Sequence, residues 1–156
     1  MTNNLISIIT PTYNCGAYIG ETIESVQQQT VHNWEMIIVD DCSTDDTQQI
    51  VAAYAEKDDR IKYHKLEQNS GAAVARTVAM ELAQGEYMAF LDSDDLWMPE
   101  KLARQLQFMQ ENKYHFTCTA YEQMDQQGHS TGKVIHTKPK TDYNGVLLTC
   151  PVGNST

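Results

Sequence analysis

The chain predicts a mostly parallel, doubly wound α/β sheet with helices on both faces and a small antiparallel addition near the C-terminus. Three observations point there. Short apolar runs alternate four times with helical patterns, Trp34 to Val39 has the nearly continuous apolar core of a strand covered on both sides, and no repeat or low-complexity tract breaks the alternation.

In chain order, Leu5 to Ile9 reads as the first strand, stopped by Thr10-Pro11-Thr12-Tyr13-Asn14. Ile19, Ile23 and Val26 recur at helical spacing, and Gln27-Gln28-Gln29-Thr30 fades into polar sequence. The second strand, Trp34 to Val39, stops at Asp40-Asp41. Ser43 and Asp46 have the spacing of a capping box for a second helix carrying Ile50, Val51 and Tyr54. A weaker strand, Ile61 to Leu66, is followed by an alanine-rich helix whose small residues allow close approach to the sheet. Val74, Val78 and Leu82 form its stripe beside Ala75, Ala79 and Ala83, and Gly85 is placed as a C-cap. Tyr87 to Leu91 gives the fourth strand, and a fourth helix has Pro99 in its first turn with Leu102, Leu106 and Met109 inward. Beyond Asn112, Tyr114 to Met124 and Lys133 to Thr137 read as an antiparallel pair around a turn at Asp125 to Gly128. A short helix from Thr141 is broken by Pro151, Gly153 and Asn154.

At 156 residues the chain fits one domain, residues 1–156, with a βα core over 1–112 and a further, incomplete region over 113–156. A net charge of −10 argues against nucleic acid or anionic lipid as the main partner. Cys15, Cys42, Cys118 and Cys150 are scattered without a C-x-x-C pair, and the five histidines form no ligand spacing, so reduced thiols are expected rather than zinc or disulfides. The apolar stretch at the N-terminus is too short for a signal peptide or span, which also makes the Asn154-Ser155-Thr156 sequon a chance match.

The chemistry concentrates after the fourth strand, where Asp92, Asp94 and Asp95 crowd three carboxylates into four residues. Such acids repel unless a positive charge joins them, and Mg²⁺ or Mn²⁺ shared with substrate phosphates would relieve the repulsion. The alternative is a solvated acidic turn ahead of the helix near Pro99. Open α/β sheets bind ligands beyond the carboxyl ends of their strands, and those ends carry Pro11-Thr12-Tyr13, Asp40-Asp41, Asn69 and Asp92 to Asp95. Tyr13 offers a stacking face, Asp41 an acceptor for a base or ribose, Gly71 room for backbone approach, and Arg76 a partner for phosphate or for an acidic neighbour. Rim packing, an N-cap, a turn and a structural ion pair are the respective alternatives.

Five blocks then resemble family 2 glycosyltransferases: Ser7 to Asn14, Glu21 to Thr30, Glu35 to Asp45, Asn69 to Gly71 with Ala75-Arg76, and Gly85 to Asp95 with Trp97 and Pro99. The resemblance covers about the first two-thirds of the chain, blocks in order. It implies a Rossmann-like GT-A fold and an inverting transferase that uses a nucleotide diphosphate sugar, most commonly UDP-linked, with Mg²⁺ or Mn²⁺. It implies that Pro11 and Tyr13 border the base, that Asp41 pairs with it, and that Arg76, Asp92 and Asp94 serve the nucleotide side. Asp95, with Asp94, is the implied metal ligand. Cys42 stands where Gly is common, Thr77 where Asn often follows Arg, and Ala79 where Gly is frequent.

An inverting transfer needs a general base for the acceptor hydroxyl. In the family it lies beyond a small-Ser-Thr segment, which Gly153-Asn154-Ser155-Thr156 resembles, so the base is expected past Thr156 and the chain is expected to bind nucleotide but transfer sugar poorly. By analogy the setting is polysaccharide assembly on a glycan or lipid-linked acceptor. It would be cytoplasmic, at the inner membrane face, with peripheral association through a further C-terminal part. Two rivals are an inert nucleotide-binding fragment and a nucleotidyltransferase. The latter should carry a Gly-rich basic loop after the first strand, and Thr10 to Gly16 holds one glycine and no Lys or Arg.

Overall fold

The computed structural model describes residues 4–125, 128–136 and 155. Its elements are β1 (Ile6–Thr12), α1 (Ile19–Gln27), β2 (Trp34–Asp40), α2 (Thr47–Ala55), β3 (Ile61–Lys65), α3 (Ala72–Leu82), β4 (Tyr87–Phe90), α4 (Lys101–Asn112), β5 (Tyr121–Met124) and β6 (Ser130–Ile135). The first four strands form one parallel sheet in the order β3-β2-β1-β4, and β5 and β6 pair antiparallel with a bulge between Glu122 and Met124. The predicted fold class is the observed one. The expected helix from Thr141 lies outside the described residues.

All seven residues of β1 and of β2 are buried, as central strands covered on both faces must be. Their period of two turns Ile9, Ile37 and Val39 toward Ala75 and Ala79 of α3, and Ile8, Met36 and Ile38 to the opposite side, where they are equally buried. Each fully buried aliphatic side chain contributes roughly 1.5–3 kcal/mol to this core.

Several local expectations change. Strand β1 runs on through Pro11, which pairs in register with Val39. Leu91 N–H donates to Ile9 C=O, so the odd residues of β1 turn their polar groups toward β4. Pairing with β4 ends at Phe90, leaving no ladder on that side for Pro11 to interrupt. On α3 it is Ala75 and Ala79 that are fully buried, while Val74 and Leu82 are each 44% exposed. The alanines make the seam with the sheet, and of the longer stripe Val78 packs partly buried beside them. Gly85 is no C-cap, since α3 already ends at Ala83; a Cβ on Gly85 would lie 2.6 Å from Leu5 C=O and 2.7 Å from Ser7 N. The glycine is there because β1 passes so close. Nor does the capping box form: Ser43 is engaged elsewhere, and Asp45 instead accepts from the N–H and hydroxyl of Thr47.

The opposite, amino-terminal end of the sheet is closed by Glu35. Its carboxylate accepts from Ser7 Oγ at 2.6 Å, Lys62 Nζ at 2.5 Å and Gln84 N–H at 2.7 Å. Burial pushes its pKa up, but these donors together hold it below the ordinary range. The chain divides into two compact units, one reaching Arg104 and including Ser155, the other starting at Gln105 and holding the β5–β6 hairpin.

Candidate functional site

Strand order places the chemistry at one edge. Strand β1 lies between β2 and β4, so Tyr13 follows the central strand end, with Asp41 and the Asp92–Asp95 loop following its two neighbours. Two strand spacings put the flanking loops about 10 Å apart. Tyr13 is 48% exposed and available for stacking, whereas Pro11 is buried inside β1.

Asp41 is only 3% exposed, and its carboxylate accepts from Ser70 N–H at 2.6 Å and Gly71 N–H at 2.8 Å, while Asn69 Nδ2 donates to its carbonyl at 3.2 Å. It therefore folds the loop ahead of α3 over the end of β2. A carboxylate has about four acceptor positions, and these two bonds leave about two of them for further donors. Gly71 turns the chain at φ 90° and ψ 154°, a conformation essentially confined to glycine. Next to Asp41, Cys42 has φ 67°, which explains why glycine suits that position and what the thiol-bearing residue costs, about 1–2 kcal/mol. Asp40, fully buried, accepts from Ser43 N–H and Oγ and from Tyr63 OH; burial comes first, and this bond second, among the causes that push the phenol's pKa up.

Arg76 projects from α3 and donates through Nη2 to Asp92 at 2.9 Å, while its buried Nε has no hydrogen-bond partner. The side chain is 23% exposed and spends only Nη2 on Asp92, so the guanidinium keeps N–H donors for another anion.

The acid loop is held from below by α1. Thr22 Oγ1 donates to Ser93 C=O at 3.0 Å, and Ser25 Oγ accepts Trp97 N–H at 3.2 Å. Gln29, 1% exposed, donates to Met98 C=O at 2.8 Å and accepts Leu102 N–H at 3.1 Å. Thr22 and Ser25 of α1 and Gln29, two residues past its end, answer main-chain groups of this loop and of Leu102 in the first turn of α4, so the loop is fixed although it has no regular structure. Reading the sequence missed them, because a Thr-Ser-Gln row looks like an exposed helix face and its partners lie about 70 residues away.

Asp95 is half-buried and Asp94 exposed. Burial first, then the charges of Asp94 and Asp92, raise the Asp95 pKa, against a hydrogen bond from the Ser155 hydroxyl that lowers it. Ser155 Oγ also accepts Asp92 N–H at 2.9 Å, and Ser155 C=O accepts the Trp97 indole N–H at 3.0 Å. Lys101 Nζ stacks 3.9 Å from the Trp97 ring centre, and burial brings this ammonium's pKa down to about 8.

Among the described residues, no three His, Cys, Asp or Glu side chains converge on a metal position. With Asp92 given to Arg76, the donor set reduces to Asp94 and Asp95. That set fits a divalent cation held by one or two carboxylates with diphosphate oxygens supplying further ligands, and it does not fit an all-protein cage. The crowding that raises Asp95 is what such a cation would relieve.

A parallel sheet with its polar loops gathered at the carboxyl edge defines the class of open α/β domains that bind ligands there, and the solved structures it resembles narrow that class to GT-A glycosyltransferases. The chain belongs to glycosyl transferase family 2, whose profile matches residues 7–152. Among its relatives, a Bacillus subtilis glycosyltransferase assigned by name to teichuronic acid biosynthesis, TuaG, is 50% identical over 96% of this chain and 59% of its own length. The Escherichia coli UDP-Glc:alpha-D-GlcNAc-diphosphoundecaprenol beta-1,3-glucosyltransferase WfaP is 41% identical over 97% of this chain and 59% of its own length. S. aureus TarS in complex with UDP superposes with a TM-score of 0.65 at 41% identity, covering 69% of this chain and 32% of TarS. A Pyrobaculum calidifontis mannosyltransferase with GDP-Man and Mn²⁺ gives 0.64 at 28% identity, covering 74% of this chain and 34% of that one. The chain thus spans well under two-thirds of the length of these relatives. No helix among the described residues is long and apolar enough to cross a membrane.

Proposed function

We propose that the chain is the donor-binding part of an inverting glycosyltransferase that takes a UDP-linked sugar with Mg²⁺ or Mn²⁺ and serves cell-surface polysaccharide assembly on a lipid-linked acceptor. The observation that carries the reading is the sharing of one sheet edge by Tyr13, Asp41, the partly exposed Arg76 and the Asp94–Asp95 pair. The relative acting on a diphosphoundecaprenol-linked sugar and the TarS complex with UDP supply the acceptor class and the nucleotide.

In this reading Tyr13 stacks on the base, with Pro11 setting the strand end beneath it. Asp41 accepts a base or ribose donor with the lone pairs that Ser70 and Gly71 leave free. Arg76, oriented by Asp92, donates to the diphosphate, and Asp94 and Asp95 would hold the cation. When bound, that ion neutralises the charge developing on the departing nucleoside diphosphate. Residues 1–112 form the donor half, residues 113–156 begin the acceptor side, and the base for the acceptor hydroxyl is assigned outside the described residues. The enzyme would work on the cytoplasmic side of a membrane.

Calorimetric titration with UDP, with and without Mn²⁺, tests the reading. UDP should bind, more tightly with Mn²⁺, and Asp95→Asn should remove the metal's contribution. No heat and no thermal shift with either UDP or GDP would refute a donor site.

A further inference from the structure

Tyr13 is pinned on both sides by the loop that carries Asp41. Ahead of it, Thr12 C=O accepts Asp41 N–H at 2.9 Å, which fixes the Thr12–Tyr13 peptide. Behind it, Asn14 N–H donates to Ser43 Oγ at 2.9 Å, which fixes the Tyr13–Asn14 peptide. Those two planes set φ and ψ of Tyr13, and with them the direction in which its ring leaves the chain. The first bond joins main chain to main chain; the second hangs on one side chain. Ser43, 6% exposed, cannot swing away, because its hydroxyl donates to Asp40 Oδ1 at 2.6 Å and its N–H to the same oxygen at 2.7 Å. The stitch is reciprocal, since Thr44 N–H donates to Asn14 Oδ1 at 2.9 Å. Asn14 and Cys42, at φ 50° and 67°, make left-handed turns directly after Tyr13 and Asp41. Backbone strain of this kind persists only where the surroundings over-determine it, and it clusters at ligand clamps.

We propose that Ser43 and Asn14 are positioning residues for the nucleobase, fixing the Tyr13 ring against the Asp41 carboxylate so that one base stacks on the first while its ring N–H donates to the second. This rests on the donor-site reading above and adds a selectivity to it, for a base that carries such an N–H, as uracil does. A hydrogen bond weakens steeply when misaligned, whereas stacking tolerates a shifted ring, so loosening the stitch should cost the polar contact first.

The test compares UDP with 3-methyluridine diphosphate, which lacks the ring N–H, by calorimetry on wild type, Ser43→Ala, Asn14→Gly and Tyr63→Phe. Wild type should prefer UDP by about 10–100-fold, the worth of a bond to a charged group. Ser43→Ala should narrow that preference at least about fivefold, and so should Asn14→Gly, which keeps the left-handed turn without strain but gives up the bond to Thr44. Tyr63→Phe removes a different bond to Asp40, at 2.5 Å, without touching Asn14, and should lower stability while keeping the wild-type preference. Full preference in either loop variant overturns the assignment and leaves the donor site standing. A preference lost equally in Tyr63→Phe also overturns it, since any loosening beneath the loops would then suffice. Asn14 is exposed, so Asn14→Gly decides the matter if Ser43→Ala fails to fold. A wild type that binds both nucleotides equally refutes the base contact and the assignment with it, and one that binds neither brings down the donor-site reading as well.

Discussion

Asp41 and Gly71 meet across 2.8 Å, carboxylate to main-chain N–H, and through this bond the end of β2 fixes the start of α3. The bond is charge-assisted and nearly dry, and Ser70 N–H makes a second one at 2.6 Å. Asp41→Ala should cost about 3 kcal/mol by leaving two main-chain donors unanswered. Asp41→Asn should be scarcely better, because its amide turns a donor against one of them. Gly71→Ala meets nothing within 4 Å, so its cost should be that of the backbone conformation alone, about 1–3 kcal/mol. Urea midpoints measured at constant m-value decide all three, and a neutral Gly71→Ala would mean the loop can relax.

The Arg76–Asp92 pair predicts a separation of stability from binding. Both side chains are partly exposed, so the pair itself should add under about 1 kcal/mol to folding. Arg76→Ala should nevertheless weaken UDP binding by about 10–100-fold, the worth of charge-assisted bonds to phosphate. If Asp92 acts only by orienting Arg76, adding Asp92→Ala to Arg76→Ala should weaken UDP binding no further, whereas additive losses would give Asp92 a contact of its own.

Gln29 predicts an effect at a distance. Replacing it with Leu keeps the volume but strands Met98 C=O and Leu102 N–H, for about 2–4 kcal/mol. Amides of residues 93–102 should exchange faster and Mn²⁺ affinity should drop, with UDP affinity in EDTA unchanged. Unaltered exchange in that loop would show that the α1 row is not what holds it.

How much of this was readable from the residues follows from the range of the interactions. The strands β1, β2 and β4 and the acids behind β4 are local signals, an apolar run ending in a charge, and they were legible. The GT-A fold was legible through blocks spaced along the chain. What stayed hidden depends on partners far away in sequence. Ser43 has capping spacing, but Asp40 and Asn14 claim it first. Gly85 looks like a helix stop until Leu5 and Ser7 are found against it. Pro11 looks like a strand stop until β4 proves to end beside it. Thr22, Ser25 and Gln29 carry no local mark, because each answers a group that the sequence places elsewhere, and the small-Ser-Thr resemblance around Ser155 gave no sign of its bonds to Asp92 and Trp97.

Asp95 makes the pH dependence of stability a probe of the cation position. Its pKa is raised by burial and by two neighbouring acids above the ordinary 3.8, so the folded state holds its proton more tightly than the unfolded chain does. Its favourable contribution is complete below pH 3.8 and is lost as pH rises through the folded value. Above that window the ionised carboxylate burdens the fold, and Asp95→Asn, which carries no charge, should melt higher than wild type near pH 7 in EDTA. The advantage should vanish at acid pH, where Asp95 is protonated in both states. Mn²⁺ with UDP should then raise the melting point of wild type and reverse the order, because an ion that answers the charge binds only the folded acid. If Asp95→Asn melts lower at pH 7 without metal, the carboxylate is already compensated within the fold, and the crowding ascribed to Asp92 and Asp94 is not what sets its behaviour.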